Sequence, residues 1–309
     1  MDKALGILKQ YYGYSSFREG QEEIIREILN GNDVLTIMPT GGGKSICYQV
    51  PAILLDGITI VISPLISLMK DQVDNINNLG IKSAYINSSL SNIEINNILD
   101  EAAKNEIKIL YVAPERLESQ AFIELIASIN VSMIAIDEAH CVSQWGHDFR
   151  SSYRRISRVI SLLRNRPIVT AFTATATDEV RKDIVNLLKL NNPKVFISGF
   201  DRKNLKIIIE KGVNKKNYIL NYINNNRNES GIIYASTRKE VDNLYELLNS
   251  KGLQVEKYHA GLSDDYRKTA QENFIYDKCN IIIATNAFGM GIDKPNVRYV
   301  IHYDLLPVS

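Results

Sequence analysis

The three cysteines, Cys47, Cys141 and Cys279, stand far apart and form no CxxC pair. That spacing argues against a zinc site or a disulfide framework and fits a reducing compartment. Neither charge is in excess, with 36 basic side chains against 35 acidic ones. Net charge therefore lends no support to a nucleic-acid partner, and any such contact has to rest on local patches. No apolar run reaches the roughly 18 residues a membrane span needs. The first ten residues hold no apolar core of the signal-peptide kind. No membrane contact is expected, and the cytoplasm is the default location. Tryptophan occurs once, at Trp145.

What remains is ordinary globular composition, 45% hydrophobic and 23% charged, over 309 residues. That length suffices for two domains, each with its own core. Short β-rich apolar runs at 34–38, 58–63, 107–112, 133–136 and 168–172 alternate with amphipathic stretches such as 65–79, 93–103 and 177–188. The alternation predicts an α/β fold whose parallel sheet is covered on both faces. The rhythm breaks near 198–206 and restarts with a strand at 232–235 and a helix at 239–248 ending at Gly252. Strands at 281–284 and 297–303 follow. The expectation is two tandem α/β domains, residues 1–200 and 201–309, hinged near 199–204.

Ligands of open parallel sheets sit beyond the carboxyl ends of the strands. Here those ends read PTGGGKS, SPLISL, APERL, DEAH, TATAT, AST and ATNAFGMG. In the first, Thr40, Gly41, Gly42, Gly43, Lys44 and Ser45 follow a buried strand and open a helix. Consecutive glycines let backbone N–H groups converge on phosphate oxygens, and the helix N-terminus adds its dipole. Lys44 is placed to reach the β- and γ-phosphates of ATP, and Ser45 to hold Mg²⁺. Met38 occupies a position where the generic phosphate loop has glycine, so only the second half of that pattern is matched. A second buried strand ends in Asp137 and Glu138. Asp137 suits the Mg²⁺ and Glu138 the attacking water. His140 reads equally as a turn histidine or as a catalytic group.

With these residues in place, the chain resembles a superfamily 2 helicase, and specifically the RecQ family, from about Gly13 to Asp304. The most specific element is AHCVSQWGHDFRSSY at 139–153, similar to the family's aromatic-rich loop. The resemblance implies that this loop couples DNA binding to ATP hydrolysis through Gln144, Trp145, His147, Phe149 and Arg150. A flat aromatic beside a cation suits stacking on an unpaired base and gripping its phosphate. Upstream, YGYSSFREGQEEII at 12–25 resembles the adenine-recognition segment. There Tyr14 would stack on the base and Arg18 and Gln21 would bond its edge, with Phe17 as packing. The segments at 63–73, 111–117 and 171–177 match further motifs. They imply strand contacts by Ser63, Lys70 and Arg116, and a link from nucleotide to strand through Thr173 and Thr175. In the second domain the resemblance assigns backbone contacts to Ser236, Thr237, His259 and Thr285. It turns Gly289, Gly291 and Asp293 toward the nucleotide. Lys203 stands where the family commonly has proline in the linker.

The fold so implied is two RecA-like parallel-sheet domains, the second incomplete at its C-terminus. The implied activity is ATP-driven 3′-to-5′ unwinding of DNA in repair and recombination, with ATP and Mg²⁺ as cofactors. The implied partner is single-stranded or duplex-junction DNA. The sequence departs from the family after HYDLLPVS, where relatives carry an arginine-finger helix. The expectation is therefore an ATP- and strand-binding chain with little or no turnover, as the alternative to a working helicase. Whether Ser309 is a natural end stays open. A DEAD-box-like RNA helicase is the second alternative, opposed by the aromatic loop after DEAH and by TAT in place of SAT.

Overall fold

In the computed structural model, which describes residues 1–146, 149–198, 205–286, 288, 294 and 296–304, the chain divides into two compact units, Met1–Asn204 and Leu205–Ser309. The side chain of Ser67 is not among what is described.

The first unit opens with helices α1 (Asp2–Tyr12) and α2 (Gln21–Leu29), then strand β1 (Val34–Ile37) and helix α3 (Lys44–Leu54). The alternation continues through β2 (Ile58–Ile62), α4 (Ile66–Asn78), β3 (Ser83–Ile86), α5 (Asn92–Ala103) and β4 (Ile109–Val112). It ends with α6 (Gln120–Ser128), β5 (Val131–Ile136), α7 (Ile156–Leu162), β6 (Ile168–Thr173), α8 (Asp178–Leu187) and β7 (Lys194–Ile197). Among the described residues the strands form one seven-stranded sheet in the order β3-β4-β2-β5-β6-β1-β7. Every pairing is parallel.

Because the strand side chains alternate, each central strand feeds two cores. Ile60, Leu110, Ile134 and Val169 pack against α5 to α8. Val61, Tyr111, Met133 and Phe172 pack against α2, α3 and α4. Burial on both faces is why β1, β2, β4 and β5 are nearly uninterrupted apolar runs. The strands that sequence reading did not pick out, β3 and β7, lie at the two edges of this sheet. An edge strand needs fewer buried positions: in β7, Lys194, Val195 and Ile197 are exposed.

The second unit holds α9 (Lys215–Asn225), β8 (Ser230–Tyr234), α10 (Arg238–Ser250), β9 (Val255–Tyr258), α11 (Asp264–Ile275), β10 (Ile281–Ala284) and β11 (Val297–His302). Its described strands form a parallel sheet in the order β11-β8-β10-β9. Ile233, Ile281 and Ile283 pack against α9 and α10, while Ile232, Ile282 and Ala284 face Phe274 of α11 and Phe288. Both sheets are thus three-layered α/β arrangements that carry polar turns at their carboxyl ends.

Candidate nucleotide and nucleic-acid site

The phosphate loop grows from the carboxyl end of β1. Gly41 and Gly43 both take left-handed backbone angles, with φ of 77° and 85°, which side chains with a Cβ adopt at a cost. At Gly42 a Cβ would come within 2.5 Å of the Met38 side chain and 2.9 Å of the Pro39 carbonyl oxygen. The glycines are therefore required by the loop's own geometry. α3 then begins at Lys44 without a side-chain cap, as do α1, α2, α4 and α7. An uncapped first turn keeps its N–H groups for an anion. Lys44 Nζ donates to the Met38 carbonyl at 3.2 Å, which holds the ammonium over the loop. Met38 itself is buried, and its N–H donates to Thr173 O at 3.0 Å. Thr40 is exposed in the loop and Ser45 is half-buried at the start of α3.

Arg18 and Gln21 meet this loop directly. Arg18 Nη1 donates to Gly41 O at 2.8 Å, and Gln21 Nε2 to Gly43 O at 3.2 Å. Gln21 Oε1 in turn accepts from the Arg18 N–H at 2.9 Å. Both side chains therefore brace the phosphate loop, a role that the adenine-edge expectation did not include. Tyr14 is 54% exposed. Phe17 packs on the small cluster of Ala4, Ile25 and Val50.

β5 lies two strands away, and its end delivers the acidic pair. The Asp137 N–H donates to Ile62 O at 2.8 Å, while its carboxylate accepts from Ser63 Oγ at 3.5 Å and from the Glu138 N–H at 3.0 Å. Burial pushes the Asp137 carboxyl up to about 6, the Glu138 charge adds to this, and the Lys44 ammonium opposes it. Glu138 is held at φ 47°, a left-handed angle rare for a residue with a side chain. Such strain costs on the order of 1–3 kcal/mol and is concentrated at functional sites. His140 is buried, with Nδ1 3.3 Å from Glu138 Oε2 and 2.9 Å from Thr173 Oγ1. Thr173 donates its own hydroxyl hydrogen to Thr175 O at 3.0 Å. The chain Glu138–His140–Thr173 ties the acidic pair to β6, whose Thr173 carbonyl also anchors the phosphate loop.

After the buried turn Ala139–Val142, Ser143 Oγ donates to Asp183 on α8 at 2.6 Å and accepts from the Trp145 N–H at 3.1 Å. Gly146 lies against the His140 carbonyl so closely that a Cβ would collide with it. Trp145 is 79% exposed and Gln144 is exposed beside it. Phe149 is exposed too, and the Arg154 guanidinium lies 5.1 Å over its ring. Arg150 returns the chain to the sheet: its N–H donates to Cys141 O at 2.9 Å and its Nη1 to Pro64 O at 3.2 Å. His147 lies outside the described residues.

Ser63 is buried at the end of β2, and Lys70 is exposed on α4. Arg116, after β4, donates to Asn87 O at 2.8 Å. Asn87 was not singled out from sequence; its side-chain oxygen accepts from the N–H and hydroxyl of Ser89 at 2.9 and 2.7 Å. An Asn two residues before a Ser is the only local signal of that turn. In the second unit, Ser236, His259 and Thr285 follow β8, β9 and β10, which are neighbours in the sheet. Ser236 Oγ donates to Glu240 at 2.8 Å, and Thr237 caps α10. His259 is buried; Nδ1 accepts from the Gly261 N–H at 3.1 Å and Nε2 lies 3.4 Å from Asp242. Thr285 is half-buried. Gly289, Gly291, Asp293 and Lys203 lie outside the described residues. No helix among the described residues is long and apolar enough to cross a membrane.

Two parallel sheets, the first with a phosphate loop and an acidic strand end, give this chain the architecture of a helicase core. Residues 18–184 match the DEAD/DEAH box helicase family and residues 214–307 the helicase conserved C-terminal domain. The chain belongs to the DEAD/DEAH box helicase family. Its sequence is 50% identical over 303 residues to the ATP-dependent DNA helicase RecQ of Bacillus subtilis, covering 98% of this chain and 51% of that protein. It is 45% identical over 302 residues to the RecQ of Pasteurella multocida, covering 98% of this chain and 48% of that protein. The chain thus spans about half the length of these curated relatives. The fold matches that of the Mycobacterium smegmatis helicase Lhr bound to ssDNA and AMP-PNP, with a TM-score of 0.71 at 18% identity over 97% of this chain and 44% of that one.

Proposed function

We propose that the chain is the ATP-driven core of a RecQ-type DNA helicase that moves 3′-to-5′ along a single strand and unwinds duplex in repair and recombination. In this reading, residues 1–200 and 201–309 form its two motor domains. The observation that carries the reading is the chain of contacts from the phosphate loop through Thr173 and His140 to Glu138, in a sequence half identical to a named DNA helicase.

ATP is bound by Tyr14 on the adenine and by Thr40, Gly41, Gly42, Gly43, Lys44 and Ser45 around the phosphates. Arg18 and Gln21 shape the loop and reach toward the base, and Gly291 and Asp293 contribute from the second domain. The residues fit Mg²⁺: Ser45 supplies a hydroxyl, and Asp137 a carboxylate whose raised pKa a cation would relieve. Mg²⁺ needs only one or two protein oxygens, the remainder coming from phosphates and water. When bound, it neutralises developing charge on the phosphates. Lys44 holds the β- and γ-phosphates by charge, and Glu138 orients the attacking water and takes its proton. His140, in contact with both through Nδ1, keeps Glu138 and Thr173 in step.

Strand contact is assigned to Ser63, Lys70 and Arg116 in the first domain and to Ser236, Thr237, His259 and Thr285 in the second. Gln144, Trp145, His147, Phe149 and Arg150 sense the bases. The test is steady-state ATP turnover with oligo-dT and with oligo-U, beside unwinding of partial duplexes with 3′ or 5′ tails. The reading expects DNA-stimulated turnover, with unwinding confined to 3′-tailed substrates. Stimulation by RNA in preference to DNA, or unwinding from 5′ tails, overturns it.

A further inference from the structure

Behind the phosphate loop, the buried side chains of Gln49, Tyr48 and Tyr111 form a polar group whose outer members are the half-buried Tyr12 and Gln72. Gln49 on α3 is 3% exposed. Its Oε1 accepts from the Tyr12 hydroxyl at 3.0 Å, and its Nε2 donates to Gln72 Oε1 at 2.8 Å and to the Tyr111 hydroxyl at 2.9 Å. The Tyr111 hydroxyl lies 3.5 Å from that of Tyr48, the neighbour of Gln49 on α3. Both amide hydrogens and the carbonyl oxygen of Gln49 are thereby engaged. The partners are linked to its orientation. Turning the Gln49 amide over would require the Gln72 amide to turn with it and the Tyr12 and Tyr111 hydroxyls to exchange donor and acceptor roles.

Each partner belongs to a different piece of the machinery. Tyr12 ends α1, two residues before Tyr14. Tyr48 stands on α3, one turn after Lys44 and Ser45. Gln72 lies on α4, which follows Ser63 and carries Lys70. Tyr111 is on β4, the strand that leads to Arg116. Gln49 is thus the junction of two nucleotide-side segments with two strand-side segments, all within the first unit.

We propose that Gln49 is a positioning residue that couples nucleotide binding to single-strand binding through the Tyr12–Gln49–Gln72/Tyr111 network. The proposal rests on the functional reading above. Unmaking the buried Gln49–Tyr111 bond is costly, and the part-buried bonds to Tyr12 and Gln72 add to that cost, so a shift of one partner is transmitted to the others. A displacement of α4 by a bound strand either strands the Gln49 amide without its acceptor or draws α3, and with it the phosphate loop. Close-packed surroundings leave no continuous slack between those two outcomes.

The test measures the affinity for Mg–AMP-PNP by calorimetry with and without saturating oligo-dT, in the protein and in Tyr12→Phe, Gln72→Met and Gln49→Met. None of these positions is assigned to either ligand. The expected result is binary affinities close to those of the unaltered protein, with the coupling factor reduced by about 2- to 30-fold. Tyr12 and Gln72 bond different atoms of the Gln49 amide. Their double variant should nonetheless lose no more coupling than the stronger single one, because both act through Gln49. A purely structural role predicts the opposite: a lower melting temperature with coupling intact. Full coupling in Gln49→Met, beside normal coupling in the unaltered protein, overturns this proposal and leaves the functional reading standing. Absence of coupling in the unaltered protein overturns both.

Discussion

The hydroxyl of Tyr153 donates to the main-chain carbonyl of Asp137 at 2.9 Å. Tyr153 closes the aromatic segment that began at Ala139 and is completely buried. The far end of the segment is therefore fastened to the acidic strand end from which it departs. Between those fixed points Trp145 stands out, 79% exposed. Trp145→Ala should change the melting temperature by no more than about 1–2 °C, since exposed substitutions rarely exceed roughly 0.5 kcal/mol. A core tryptophan would cost about 3–5 kcal/mol. The same variant should lose most of its DNA-stimulated ATP turnover. A large melting shift, or undiminished stimulation, counts against the loop as base sensor.

Asp137 sets a pH dependence with a definite sign. Its folded carboxyl is raised from 3.8 to about 6, chiefly by burial and then by Glu138. The folded protein therefore holds this proton more tightly than the unfolded chain does. The stability it contributes is complete below about pH 4 and is lost as pH rises through about 6. Asp137→Asn should stabilise the protein by about 1–3 kcal/mol above pH 7 and change little at pH 4. Urea melts at the two pH values check this; equal effects at both would show that the carboxylate is not strained. The variant should also lose Mg²⁺-dependent nucleotide binding.

Lys44 and Tyr14 act on different parts of the nucleotide. Lys44→Ala removes a charged donor, worth about 1.5–3 kcal/mol, from the phosphates. Calorimetry should show ATP binding weakened by roughly 10- to 150-fold. Tyr14→Ala should weaken ATP but leave pyrophosphate binding as it was. Unchanged ATP affinity in Lys44→Ala would remove the phosphate-loop assignment.

At the opposite end of β1, Asp33 is a buried carboxylate of purely structural use. Arg166 grips it with two bonds of 3.0 and 2.5 Å, and the N–H groups of Val169 and Asn191 donate to it at 2.9 and 2.6 Å. Asp33→Ala leaves the Val169 and Asn191 N–H groups without their acceptor and should cost roughly 1–3 kcal/mol, since Arg166, with 40% of its side chain exposed, can turn to water. Nucleotide affinity, measured well below the melting temperature, should not change. A loss under about 1 kcal/mol would show that Arg166 is gripping a carboxylate still open to solvent.

The motifs were legible because their chemistry is local. A phosphate loop needs consecutive glycines followed at once by lysine and a hydroxyl, and an acidic strand end needs its carboxylates next to an apolar run. The central strands were legible for a related reason: burial on both faces leaves continuous Val, Ile and Leu. The edge strands β3, β7 and β9 were not, because one-sided pairing lets Lys194, Glu256 and Lys257 into them. The brace of Arg18 and Gln21 on the phosphate loop joins residues about twenty positions apart, and no local pattern reports it. The Asp33–Arg166 pair spans 133 positions and the Gln49–Tyr111 bond 62, each closed by crossovers that only the folded sheet provides. Sequence alone determined which chemical groups stand at the strand ends, since that follows from neighbouring residues. Which of those groups touch, why the Asp137 carboxyl is raised above the usual carboxylate range, and which side chains join the two sides of the working face were decided by tertiary packing, because hydrogen bonds and desolvation depend on distance in space and not along the chain.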